Sequence, residues 1–264
     1  MRLAGFRFVG LVAFRTAALP GACLLTFFVP MFHEYRRSHA SLALLMALGG
    51  SSVQAQVIAT GAMRRTMWEG QLAGLIAMDS IAKPGMFGIG PLEHLRGEIT
   101  MVDGRCFVSY VVNDGTIKVE ERSDVKAPFF VRAAVTRWDP IALPSTVVDL
   151  PSLDKFLTEW SMTRTEPFTF RLRGLVIDAH VHVINVPPGA AINGPDEAHT
   201  HQLVVQDSNN EGTLLGFFST GHKAVFTHHD TNIHVHYISW DNKLMGHLDL
   251  LRVDPTRVVL EIGQ

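Results

Sequence analysis

The stretch "NIHVHYISWDNKLMGHLD", residues 232–249, constrains this chain more than any other. It alternates with the period of two that belongs to a β-strand. Asp241 and Asn242 both tolerate the positive φ of a tight hairpin turn. With those two at the centre, Trp240 pairs with Lys243. Counting outward then pairs His236 with His247. Paired residues point to one face with Cβ atoms about 5 Å apart. His234 lies two residues along the same face. The register thus gathers His234, His236 and His247. Three imidazoles with an open position form the ligand set of a catalytic zinc site. The same set accepts manganese, iron, nickel or cobalt. A slip of one residue would send His247 to the other face. Gly246 beside it lets the backbone come close.

Histidine is concentrated here: ten of the 13 lie between His180 and His247. A second strand-like run, Asp178-Ala-His180-Val-His182, also places its polar residues on one face. It looks like the opening metal strand of the amidohydrolase superfamily, so a metal-dependent hydrolase using Asp178, His180 and His182 is one reading. That family needs a barrel of ~250 residues, and too little chain follows His182 to build one.

Arg36-Arg37, the apolar "SLALLMALGG" and the small-residue "SSVQAQ" read as a signal peptide with cleavage after Ala55. Translation from Met31 would give a compact leader, which makes residues 1–30 an over-extended start. Export to a periplasm or beyond is expected, with no stable membrane association once the leader is removed. Cys23 and Cys106 are the only cysteines. Removal of the leader leaves Cys106 alone and no internal disulfide. The net charge of −2 gives no electrostatic argument for nucleic acid as a partner. A small-molecule substrate fits better, with a homodimer as the oligomer to consider.

After the leader (1–55), the texture is mostly β. Asp103-Gly104 and Asp114-Gly115 mark hairpins. "PFFVRAAVTRW", "FTFRLRGLVIDAHVHVINV", "HQLVVQD", "GTLLGFFST", "KAVFTHH" and "MGHLDLLRV" read as strands. Residues 152–160, "SLDKFLTEW", read as a helix with Ser152 as N-cap. "VPPGAAINGPDEAHT" reads as a loop. The expected class is α+β with mostly antiparallel sheet, in β-rich halves 56–160 and 161–264.

The histidine hairpin is similar to the His-x-His…Gly-His zinc stretch of the α-acetolactate decarboxylase family. "GIGPLEHLRGEITMVDG", residues 88–104, resembles a second motif of that family, matching at Gly90, Leu95, Gly97 and Glu98 and departing at Pro91 and Arg96. The resemblance spans roughly residues 68–251. It implies a two-lobed fold of mixed sheet and zinc-dependent decarboxylation of 2-acetolactate to acetoin and CO2. It also implies His234, His236 and His247 as metal ligands and Glu98 as the catalytic carboxylate. The family's arginine in Arg-x-Val-Pro, which holds the substrate carboxylate, corresponds to Ile184 here. His180 or His182 would then take its place in substrate binding, or the substrate is another small keto or hydroxy acid. Loss of the clamp also leaves room for a relative that binds metal without decarboxylating. Glu261 is the candidate for a family glutamate near the C-terminus.

Overall fold

A computed structural model describes residues 54–113 and 115–264; residues 1–53, which hold all but the last two positions of the expected leader, and Asp114 lie outside the described residues. The first sheet contains β1 (Val57–Thr60), β3 (Met86–Pro91), β4 (Glu98–Val102), β5 (Arg105–Val111), β6 (Ile117–Glu121) and β8 (Phe130–Ala134) in the order β1-β8-β3-β4-β5-β6. A small pair, β2 (Ile76–Ala77) and β7 (Lys126–Ala127), stands apart. The second sheet contains β9 (Trp138–Ile141), β10 (Phe168–Ile184), β11 (Gln202–Phe218), β12 (Ile233–Ser239) and β13 (Met245–Gly263). Every strand pair in the three sheets is antiparallel. The helices are α1 (Met63–Met67), α2 (Leu150–Trp160) and α3 (Pro195–His199).

β10 pairs with both β11 and β13, and β12 bridges β11 to β13. The second sheet therefore closes on itself through β10, β11, β12 and β13, with β9 left as an edge strand against β13. Phe168, Phe170, Leu214, Tyr237 and Leu260 are buried in its core, capped by Leu153 and Leu157 of α2. α2 starts at Leu150, two residues before its expected cap. Asp149 is the N-cap, accepting the Ser152 backbone N–H at 2.9 Å, while the Ser152 hydroxyl serves the Asp149 N–H. Asp149, being ionised, is the stronger acceptor for the helix N-terminus.

The strand expected at "KAVFTHH" does not form. Those residues lie in the loop 219–232, where the His222 carbonyl accepts from the backbone N–H groups of Val225, Phe226 and Thr227. Phe226 is drawn out of any extended run into a core shared with Phe87, Val131 and Phe217. "PFFVRAAVTRW" splits between sheets, with β8 in the first and β9 in the second. "HQLVVQD" and "GTLLGFFST" fuse into the single strand β11. The "VPPGAAINGPDEAHT" loop contains the short helix α3.

Two hairpins test the turn chemistry. Asp103 and Gly104 have φ of 53° and 78°, and Val102 pairs with Arg105, as a tight two-residue turn requires. The β12–β13 hairpin has the expected pairing of His236 with His247 but a different turn. Ser239 N–H bonds to Leu244 O, Asn242 N–H bonds back to Ser239 O, and only Asn242 has positive φ, at 56°. The loop gained one residue on each side, so the register did not move.

Glu261 lies far along β13, buried, and accepts from Arg171 at 2.7 and 3.1 Å and from Arg173 at 2.8 Å. Burial works to raise its carboxyl, but the two guanidiniums outweigh that and hold it below its usual value. A carboxyl lowered on folding stabilises above its unfolded range and loses that contribution as pH falls through it. Arg171→Met is therefore expected to cost about 1–3 kcal/mol at neutral pH, with the gap in melting temperature closing on acidification. An equal gap at pH 3 and pH 7 would refute that role.

Candidate metal centre

The closed sheet lines up three histidines across neighbouring strands. His236 on β12 is paired with His247 on β13, and His247 is paired on its other side with His182 on β10. Gly246 makes the close approach work: a Cβ there would sit 2.4 Å from the His182 carbonyl oxygen. His234 completes the expected trio, with ring centroids 5.2 Å from His236 and 5.2 Å from His247; His236 and His247 are 5.8 Å apart.

The first sheet supplies the other wall. Thr100 Oγ1 lies 2.9 Å from His236 Nδ1, and Glu98 Oε2 lies 3.7 Å from His236 Nε2. Burial pushes the Glu98 carboxyl well up, partly offset by a hydrogen bond with the Ile184 backbone. Burial also drives the His234 and His236 imidazoles well below their usual values, and His247 below its own. Neither Glu98 nor His236 favours charge here, so their contact is not an ion pair.

Asp249 emerges only from the tertiary structure. Val181 pairs with Leu248 and His180 with Leu250, so Asp249 is the extra residue of a β-bulge. Its Oδ1 reaches His182 Nδ1 at 2.7 Å and His247 Nδ1 at 3.2 Å. Burial tends to raise this carboxyl, but the two imidazoles hold it far below the usual range. Accepting from both Nδ1 atoms leaves both Nε2 atoms as lone-pair donors. The spacing His-x-Asp, at i and i+2 on one strand, was the available sequence signal.

His228, on the 219–232 loop, also joins the group. Its Nε2 lies 2.9 Å from His247 Nε2, and burial first, then neighbouring imidazoles, lower it to about 3. No sequence signal distinguished it from an exposed loop histidine. His199 of α3 packs its ring 5.3 Å from His182.

A cavity of about 250 Å3 joins these groups, lined by Glu98, His182, Ile184, His199, His234 and His247 among others. Met63, Met67 and Phe129 form its apolar wall. His199, His228 and His247 also border a wider groove of about 680 Å3 against α2. His180 does not reach the cavity. It is partly exposed, 3.8 Å from Asp178, whose carboxylate accepts from Gln206 and Ser208 on β11. β10 stays in register with β11 here, so His180 and His182 share a face, but His180 lies further along the strand beside Asp178 and outside the cavity.

The histidines fit a divalent cation. His234 Nδ1 and His236 Nε2 are buried without a hydrogen-bond partner. Such atoms cost about 1–3 kcal/mol each unless something ligates them. The nitrogens come from imidazoles kept neutral by burial, as metal ligands must be.

The sequence model of α-acetolactate decarboxylase matches residues 60–264. The chain belongs to the α-acetolactate decarboxylase family. A search of curated proteins found no match. Among solved structures, α-acetolactate decarboxylase from Bacillus subtilis strain 168 is similar at 20% identity, TM-score 0.64, over 79% of this chain and 85% of that one. Acetolactate decarboxylase from B. subtilis subspecies spizizenii gives 20% identity and TM-score 0.64, over 79% and 86%. A Staphylococcus aureus protein of unknown function, described as similar to α-acetolactate decarboxylase, gives 18% identity and TM-score 0.63, over 78% and 84%. These likenesses establish the mostly antiparallel fold. Ile184, the position that the sequence resemblance set against the family's arginine, is buried in the cavity wall. Among the described residues lining that cavity there is no arginine or lysine. Glu261, engaged by Arg171 and Arg173, does not line it either.

Proposed function

We propose that this protein decarboxylates 2-acetolactate, or a closely related 2-hydroxy-3-keto acid, with His234, His236 and His247 holding a divalent metal, zinc in the first instance. The observation that carries this is the buried Glu98 carboxyl, 3.7 Å from His236 and lining the same cavity as His234 and His247. A cation held there supplies a Lewis acid for the charge left on the keto and hydroxyl oxygens as CO2 departs. Glu98, made a weaker acid by burial, carries a proton that it can deliver to the carbon that lost CO2. Asp249 fixes the orientation of His247 and His182. Met63, Met67, Phe129 and Ile184 exclude water from the reacting centre. His182 and His199 are the imidazoles placed to meet a substrate carboxylate in the absence of the family's arginine.

The test is release of CO2 and acetoin from racemic 2-acetolactate by the zinc-loaded protein. Release at a rate that follows metal content is expected. Ile184 favours one second reading, a family member that binds metal without decarboxylating. Bound metal with no acetoin would establish that reading and end the first. We also propose export: sequencing the N-terminus of secreted protein should find a chain beginning after Ala55, and one beginning at residue 1 would rule that out.

A further inference from the structure

We propose that His228 is a fourth imidazole ligand of the cation held by His234, His236 and His247. The inference rests on the metal-centre reading above but not on the reaction assigned to it. His228 enters from the 219–232 loop, outside the hairpin that carries the other three. Ligand nitrogens of His228, His234 and His247 all lie within 4.8 Å of one another. Ring contacts join His228 to His234 and His247, at 5.8 and 4.8 Å, and join His236 to the same two. His234 and His247 thus stand between His228 and His236.

The contact between His228 Nε2 and His247 Nε2 decides the matter. Asp249 takes the Nδ1–H of His247, so His247 Nε2 is a bare lone pair. That lone pair serves either a proton on His228 or a metal, not both. Once His247 ligates, His228 Nε2 stands 2.9 Å from a ligating nitrogen with its own lone pair free to bind.

The experiment uses the protein loaded with Co2+ alone. X-ray absorption counts the bound imidazoles, and the visible spectrum reports a change in the ligand set. Four imidazoles are expected. His228→Ala should give three imidazoles, altered bands and Co2+ affinity lower by about 10- to 100-fold. His201→Ala should keep four. Three imidazoles in the unsubstituted protein, or a spectrum that His228→Ala leaves unchanged, would overturn the proposal. If His228→Ala does not fold, the count on the unsubstituted protein decides alone. Acetoin release is measured separately. Four imidazoles without acetoin would defeat only the proposed reaction, and acetoin with three imidazoles would defeat only the fourth ligand.

Discussion

Glu98→Gln is expected to lower turnover of 2-acetolactate by about 10²–10⁴-fold while leaving metal content unchanged. The argument is local. The side chain is buried, 3.7 Å from His236 Nε2, and bonded to the Ile184 backbone. Burial already disfavours its ionised form, so a neutral amide of the same shape replaces it with little structural cost. The Ile184 N–H keeps an acceptor in the amide oxygen. What the amide lacks is a transferable proton. The melting temperature should therefore stay near that of the unsubstituted protein while the chemical step slows. Turnover within about tenfold of normal would remove Glu98 from proton transfer.

His247→Ala carries the second large effect. His247 is the hub of the cluster: its ring touches those of His182, His228, His234 and His236. Asp249 binds its Nδ1 and that of His182 together. Removing it deletes a ligand and frees Asp249 to rotate. Metal affinity is expected to fall by more than about 100-fold, beyond what loss of an outer partner produces. The metal-dependent gain in melting temperature should disappear with it. His180→Ala, outside the cavity, should keep both. Retention of metal by His247→Ala together with its loss in His180→Ala would move the centre to the Asp178 strand and refute the assignment.

The sequence by itself determined the part of this protein that is short-range. The alternation around His234 and His236, and a turn between Ser239 and Leu244, fix the pairing of His236 with His247 even though the turn is longer than expected. Lengthening a hairpin loop by one residue on each side preserves both parity and register, so the prediction survived the wrong turn. Asp103-Gly104 was legible for the same reason. Glu98 was legible only through the second motif of the family resemblance, because strand spacing says nothing about a partner in another sheet.

The tertiary structure decided the rest. His182 joins the centre because β10 closes against β13, a contact between residues 65 positions apart. Asp249 faces two histidines because a bulge in β13 inserts it there. His228 arrives on a loop that "KAVFTHH" disguised as a strand, turned inward by the burial of Phe226. Local periodicity fixes the face of a side chain within one strand. Which strands then meet, and where a register breaks, is set by burial and pairing summed over the whole closed sheet.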